Sequence, residues 1–320
     1  MYLDKKLNFE EHLSKVETKV NKLIGVILKL QRVLPRSTLL TVYKSFVRPL
    51  LDYGDIIYDK AFNESFHEKM ESLQYNAVLA ITGAIRGSST EKLYEELGLE
   101  SLKLRRWYRK MSLLYKIFKN ESPGYLFNTI PNNNAQRQTR QSDNVPTFFA
   151  RHDYFKNSFF PSAIAEWNKL DCFIKNADSF DIFKKRILDS IRPLPHSVFN
   201  IHNPLGIKYL TRLRIGFSHL KEHKFRHNFQ DSVDPMCCCG SGTETTKHFL
   251  LHCPIFHLQR QTLFDKIATI DSNILTENED SIVHTLLFGK PKSENSLNRA
   301  ILNMSIEFIL STERFNNPLF

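Results

Sequence analysis

The chain contains no apolar run near the roughly 18 residues that a membrane-spanning helix needs. No apolar core follows the charged residues after Met1, as it would in a signal peptide. Two common catalytic signatures are also absent, since neither a Gly-x-Ser-x-Gly elbow nor a phosphate-binding glycine loop occurs. We therefore expect an intracellular protein of the nucleus or cytoplasm that has no membrane partner.

Cysteine is scarce, with 5 in 320 residues, yet four of these lie within one short segment. The spacing Cys237-x-Cys239-x8-His248-x4-Cys253 supplies three thiols and an imidazole. Zinc prefers four such ligands in a tetrahedron. A reducing compartment also favours a metal over a disulfide. The sequence therefore predicts a structural zinc site built from Cys237, Cys239, His248 and Cys253.

The sequence leaves alternatives to this ligand set open. Cys238 could replace Cys237, and His252 is an alternate ligand. A disulfide or a buried apolar cysteine cluster would also bring thiols together. Gly240 and Gly242 suit a tight turn after the first cysteines, and a helix is expected from about Thr245 to just before Pro254.

Positive charge exceeds negative charge, with 44 Lys and Arg against 34 Asp and Glu, a net charge of +10. A polyanion is the natural partner of such a basic protein, which predicts binding of RNA, DNA or both. A solvated charged helix face is the plainer interpretation. The candidate phosphate-binding residues are Lys103, Arg105, Arg106, Arg109 and Lys110, together with Arg212, Arg214, Lys224 and Arg226, which are interleaved with aromatic residues.

Apolar periodicity predicts a mostly α fold. Apolar residues recur every three or four positions from Leu13 to Leu30, and Ser37 is the expected N-cap of a second helix that Pro49 and Gly54 close. Further helices are predicted from about residue 64, over 89–98 and 101–119, near 258–267 and near 297–311, with an acidic loop at 276–281.

Several segments, in order, resemble the C-terminal part of reverse transcriptases of non-LTR retrotransposons of the LINE and jockey-like kind. They are residues 7–12 (LNFEEH), 43–54 (YKSFVRPLLDYG), 158–170 (SFFPSAIAEWNKL), 213–220 (LRIGFSHL) and 239–254 (CGSGTETTKHFLLHCP). Short runs at 287–289 (LFG) and 312–315 (TERF) are also similar. The resemblance covers nearly the whole chain.

Composition and the resemblance together predict a domain order. Helical periodicity, with the resemblance, predicts a thumb-like domain at 1–120, and the composition shift predicts a polar linker at 121–146 and a small connector at 147–205. A basic segment with a CCHC-type zinc knuckle follows at 206–260, and C-terminal helices occupy 261–320. In that family the thumb grips the primer–template duplex. The implied partners are element RNA or target DNA, with other retrotransposon proteins as further candidates.

The chain departs from the family in its catalytic residues. The family polymerase holds two metal ions on aspartates, and this chain has no Asp-Asp dipeptide, so the palm would precede Met1. We therefore expect no enzyme activity from this chain alone, but a nucleic-acid-binding fragment. One alternative is a non-catalytic structural or interaction remnant of a transposable element. A less favoured one is a zinc hydrolase using His219, Glu222 and His223 in a His-x-x-Glu-His pattern.

Overall fold

The computed structural model describes residues 9–59, 64–119, 121–131, 144–191, 201–231, 233–291 and 293–316. Over these residues the fold is mostly α, as predicted. The α-helices are α1 Glu10–Leu30, α2 Arg36–Val42, α3 Arg48–Asp52, α4 Asp55–Tyr58, α5 Glu64–Thr82, α6 Thr90–Leu97, α7 Leu102–Phe118, α8 Gly124–Phe127, α9 Asp153–Lys156, α10 Phe159–Trp167, α11 Cys172–Lys175, α12 Phe180–Ile191, α13 Pro204–Ile215, α14 Lys221–Arg226, α15 His257–Asp271, α16 Glu279–Phe288 and α17 Asn295–Ser311.

Local capping signals explain the helix boundaries that the sequence predicted. The Ser89 side chain accepts a hydrogen bond from the backbone N–H of Lys92, and Gly98 ends α6 in the left-handed conformation. Ser101 caps α7 in the same way, through the backbone N–H of Leu104. These caps satisfy backbone groups that a helix end otherwise leaves unpaired.

The second predicted helix is wrong in two details. Its N-cap is Pro35 rather than Ser37, so that Arg36 begins α2. Pro49 does not close it, because the backbone continues through a π-helical segment, Tyr43–Val47, into α3. Proline is tolerated in the first turn of α3, where its missing N–H and fixed φ do little harm.

The predicted acidic loop at 276–281 is also wrong over its second half, where α16 begins. The Asn278 side chain accepts a hydrogen bond from the backbone N–H of Ser281 and caps the helix. Glu279 and Asp280 then place negative charge in the first turn, where the helix dipole favours it. An Asn followed by two acidic residues is therefore a helix start here.

The described chain divides into two compact units that draw on alternating stretches of sequence. The first contains Met1–Asn21, Phe46–Gln74 and Glu100–Pro193, and the second contains Lys22–Ser45, Tyr75–Leu99 and Leu194–Phe320. Helices α1 and α5 have residues in both. The regions predicted from the sequence are consecutive ranges rather than alternating stretches, and they stay a prediction. Residues 132–143 of the predicted linker lie outside the described residues.

One hydrophobic core cluster of the first unit is formed by α7, α10 and α12. Tyr115 of α7 stacks on Phe183 of α12, with ring centroids 4.4 Å apart, and its hydroxyl donates to the backbone carbonyl of Ala177. Trp167 of α10 stacks on the same phenylalanine. Buried aromatic pairs of this kind add to the stability that apolar burial supplies.

A large hydrophobic core cluster of the second unit is formed by α13, α15, α16 and α17. Leu210, Ile267, Leu286 and Ile301 are fully buried in it. Helices α13 and α17 approach very closely, because a Cβ on Gly206 would lie 2.1 Å from Cγ2 of Ile306. The cysteine-rich segment packs into this core.

None of the helices in the described part of the chain is both long and apolar enough to cross a membrane.

Candidate metal centre

A tight turn brings together the first two cysteines of the predicted site. An isolated antiparallel β-bridge joins Met236 to Thr243, and the backbone N–H of Cys237 donates to the carbonyl of Gly242 at 2.8 Å. Gly240 adopts a φ of 74°, which only glycine accepts easily. The turn therefore returns the chain beneath the thiols, as the sequence predicted for Gly240.

A short helical segment presents the other two ligands. It runs from residue 246 and widens into a π-helix, His248–His252. The Thr245 hydroxyl accepts from the backbone N–H of His248, and the backbone N–H of Cys253 donates to the carbonyl of His248 at 2.7 Å. That bond spans five residues, as in a π-helix, and it places His248 and Cys253 on the same face.

The four predicted ligands converge. One donor atom from each of Cys237, Cys239, His248 and Cys253 lies within 4.8 Å of the others. The Sγ atoms of Cys237 and Cys253 are 3.7 Å apart, and Sγ of Cys239 is 3.3 Å from Nε2 of His248. Tetrahedral zinc with Zn–S bonds of about 2.3 Å has S–S edges of about 3.8 Å, so the donors fit zinc in type and spacing.

The sulfur positions exclude a disulfide in this structure, because a disulfide bond is only about 2.04 Å long. All five cysteines are free. Within the described ranges, no other group of three or more His, Cys, Asp or Glu side chains is arranged to hold a metal ion. The Cys3His group can therefore bind a metal, and its composition is compatible with zinc.

The group is built into the core of the second unit. Cys253 is fully buried, Cys237 and His248 are nearly so, and Cys239 is half-buried. Arg260 of α15 is also buried and donates to the backbone carbonyls of Leu250 and Cys253 at 2.9 and 2.6 Å. This arginine fixes the end of the π-helix from outside the ligand set, the kind of support that metal ligands need.

The thiols differ in their protonation. Burial raises the pKa of Cys237 to about 12. Burial acts in the same direction on Cys239, but hydrogen bonds, chiefly from Ser241, outweigh it and lower the pKa of Cys239 to about 6. Since metal ligation requires thiolates, binding of a metal here would release protons from the more buried cysteines.

The alternate ligands lie outside the group. Cys238 is exposed. The His252 side chain is also exposed, and its Nε2 lies 3.4 Å from a carboxylate oxygen of Glu279. The structure thus brings Cys237, and not Cys238, together with the other three ligands.

The residues of the hydrolase alternative do not form a metal-binding group. Helix α14 begins only at Lys221, so His219 lies outside it and does not share a helical face with His223. His223 is buried, with Nδ1 2.8 Å from the Ser218 hydroxyl and Nε2 3.3 Å from that of Thr246. Its ring nitrogens are occupied by hydroxyl groups.

The candidate phosphate-binding residues of α7 mostly face carboxylates of the first unit. Arg105 donates to both oxygens of Asp52, at 2.7 and 3.0 Å through Nε, and to Glu100 at 2.8 Å. Arg109 lies 3.0 Å from Asp55. Burial, more than any neighbouring charge, raises the pKa of Asp55 to about 7 despite this arginine.

The remaining α7 cations differ in exposure. Arg106 and Lys110 are buried and both pair with Asp59, and Lys110 also lies 3.6 Å from Glu166. Lys103 is exposed. The sequence predicted a cationic strip, and the structure places most of it against carboxylates.

The candidates of the second unit fall into three environments. Arg214 is buried and donates to both oxygens of Glu96, which also accepts from the buried Arg36 at 2.7 Å. Arg212 is half-buried and donates to a backbone carbonyl. Lys224 and Arg226 form more exposed ion pairs, with Asp231 and Glu222 respectively.

Sequence reasoning missed the residues that anchor the metal segment. Glu244 lies between its ligands and is buried, and one of its oxygens accepts from the backbone N–H of Lys221 at 2.7 Å. Arg314 pairs with the same carboxylate. Glu244 is the only acidic residue between the four ligands and was the available signal, but nothing local identifies Arg314, 70 positions further along the chain, as its partner.

No protein family, curated protein or solved structure was found to match this chain.

Proposed function

We propose that this chain is a nucleic-acid-binding, C-terminal fragment of a retrotransposon reverse transcriptase that lacks the polymerase aspartates. The observation that carries the proposal is the convergence of Cys237, Cys239, His248 and Cys253. The net charge of +10 and the ordered series of resembling segments support it. Other proteins of the same element are further candidate partners.

Zinc has a structural role in this proposal. All four tetrahedral positions are supplied by side chains, so no position is open for a water or a substrate. The ion would hold the turn around Gly240 against the π-helix within the apolar core. Its binding free energy would then contribute to folding of this segment.

The interface that we propose excludes the most deeply buried cations. Breaking a buried ion pair costs about 3–5 kcal/mol, which a single phosphate contact does not recover. Arg106, Lys110 and Arg214 are therefore not part of the proposed nucleic-acid interface. Exposed pairs are worth about 0–1 kcal/mol, so phosphate can replace the partners of Lys224 and Arg226.

The experiment is a salt series of binding to single-stranded RNA and single-stranded DNA with zinc-loaded protein. The logarithm of the association constant should fall linearly with the logarithm of salt concentration, with a slope of about −0.7 per phosphate contacted. Chelator-treated protein serves as the comparison and should bind more weakly. Absence of binding at low salt would eliminate the proposal.

A second candidate function is a structural or interaction protein without nucleic-acid binding. The pairing of Arg105, Arg106, Arg109 and Lys110 with carboxylates favours it, because such pairs already satisfy the charges. The same salt series separates the two. Under this second function, binding stays negligible while the metal content is unchanged.

A further inference from the structure

Two cations of α13 converge on the residue that follows α5. Arg212 donates from Nε to the backbone carbonyl of Gly83 at 2.9 Å. Lys208, one turn earlier, packs its aliphatic side chain against the same glycine. A Cβ added to Gly83 would lie 2.8 Å from Cγ of Lys208. Gly83 has a φ of 67°, which suits the absence of a Cβ.

The residues that follow α1 complete this cluster. The amide nitrogen of Gln31 lies 2.7 Å from the position of the same added Cβ. Arg32 is exposed, and its charge acts on Lys208. Burial lowers the pKa of Lys208 most, and the charges of Arg212 and Arg32 lower it further.

No carboxylate in the described part of the chain balances these charges. Across the described residues, Arg32, Lys208 and Arg212 form no ion pair and no hydrogen bond with an Asp or Glu side chain. The Tyr209 ring compensates in part, because Nζ of Lys208 and Cζ of Arg212 lie 5.7 and 6.0 Å from its centroid. An aromatic face carries no net charge, so the surplus remains.

The helix ends explain only part of this surplus. The carboxyl ends of α1 and α5 precede Gln31 and Gly83, and each helix end carries about half a negative charge. Three cations against two such ends leave a net charge of roughly +2. Positive charge that is partly removed from water, without an acidic partner, favours an anion at this place.

We propose that Arg32, Lys208 and Arg212 form a site for backbone phosphates of nucleic acid. The chemistry is that of a phosphate group: a planar guanidinium fork and a lysine point charge suit its oxygens, and the Gln31 amide can donate as well. The choice of nucleic acid rather than free phosphate rests on the proposed function. Arg32 and Lys208 extend the set of candidate residues, and neither is bonded to a carboxylate within the described ranges.

The test uses the variants Arg32→Gln and Lys208→Gln in the full chain. Neither side chain donates a hydrogen bond to a described partner, so the fold should persist. The matched control is Lys266→Gln on α15, which removes the same charge from a lysine that already pairs with Glu307 at 2.8 Å. Arg212 is not used first, because it also holds the Gly83 carbonyl.

Salt series with single-stranded RNA and DNA oligonucleotides supply the measurement. Each variant should reduce the magnitude of the slope by about 0.7, and the double variant by about 1.4, while Lys266→Gln leaves it unchanged. Lys208→Arg keeps the charge and should retain the slope of the natural chain. Thermal unfolding of each variant verifies that it is folded. If Lys208→Gln does not fold, Lys208→Arg provides the second measurement.

The outcomes distinguish this site from the proposed function. Salt-dependent binding that is identical in the natural chain and both glutamine variants overturns the site and leaves the proposed function standing. Absence of binding by the natural chain overturns both. Titration with inorganic phosphate and pyrophosphate tests whether the site binds free phosphate instead of the phosphates of nucleic acid. If these bind in a Lys208-dependent way while oligonucleotide binding is independent of Lys208, the nucleic-acid assignment is wrong.

Discussion

Arg314 donates to both carboxylate oxygens of Glu244, at 2.6 Å from Nε and 2.7 Å from Nη2. Both side chains are almost completely buried. The same glutamate accepts from the backbone N–H of Lys221 at the start of α14. One carboxylate therefore connects the metal-binding segment to α14 and to the residues after α17.

We predict that Glu244→Gln lowers the free energy of unfolding by about 3–5 kcal/mol, because it removes the negative charge that Glu244 places against the buried Arg314 guanidinium. Urea denaturation measures this change. Glu313→Gln is the matched control, since Glu313 is exposed and precedes Arg314 in the sequence. Its free energy of unfolding should stay within about 0.5 kcal/mol of that of the natural chain. Equal effects of the two substitutions would show that the buried Glu244–Arg314 pair contributes no more to stability than an exposed glutamate.

We predict that the purified protein binds one equivalent of zinc and that Cys253→Ser abolishes stoichiometric binding. Serine oxygen is a poor replacement for a zinc-binding thiolate. Elemental analysis after gel filtration gives the metal content. Cys238→Ser is the control, because Cys238 is exposed and lies outside the ligand group. If zinc is lost from the Cys238→Ser variant but not from the Cys253→Ser variant, the proposed ligand set is wrong.

We predict opposite effects of alanine at two helical glycines. Gly206→Ala places a methyl group 2.1 Å from Cγ2 of Ile306, so α13 and α17 must separate, at a cost of about 1–3 kcal/mol. Gly25→Ala on α1 meets no atom within 4 Å and should stabilise the protein by about 0.5–1 kcal/mol. Thermal unfolding of both variants decides the sign, and stabilisation by Gly206→Ala would contradict the close helix approach.

We predict that buried His223 destabilises the folded state as the pH falls. Burial lowers its pKa from 6.5 to about 4, so the unfolded chain binds the proton more readily between these values. The free energy of unfolding therefore decreases as the pH falls through this window, by about 3 kcal/mol in total.

The measurement compares unfolding of the natural chain and His223→Asn from pH 7 to pH 4.5. The comparison cancels protonation of the other groups, and the stability advantage of the natural chain should shrink with falling pH. An NMR titration of the folded chain gives the pKa directly. A His223 ring signal that titrates near 6.5 would contradict the prediction.

Features that depend on neighbouring residues were predictable from the sequence. The caps Ser89 and Ser101 and the glycine at Gly98 act within four residues of the groups that they bond. The four candidate metal ligands fall within 17 consecutive residues, so their spacing is visible in the sequence. Chemistry that is confined to one turn or one short segment leaves a local pattern.

Pairings between distant residues left no such pattern. Arg36 bonds Thr211, which is 175 positions away, and Arg105 bonds Asp52 across 53 positions. A row of lysines and arginines on α7 has the same periodicity whether solvent, phosphate or carboxylate faces it. The π-helical turn was equally hidden, because it adds a single residue to an otherwise ordinary helical pattern.

The alternation of the two units along the chain has a consequence for shortened forms of the protein. The chain changes unit after residues 21, 45, 74, 99 and 193, so no one break in the backbone yields a piece that holds either unit alone. A piece that starts at residue 194 would keep the four candidate metal ligands and Arg214 but would lose Glu96. Gene truncations that remove the first hundred codons would therefore retain the four candidate ligands and the apolar core around them, but would remove the Glu96 carboxylate that pairs with Arg214.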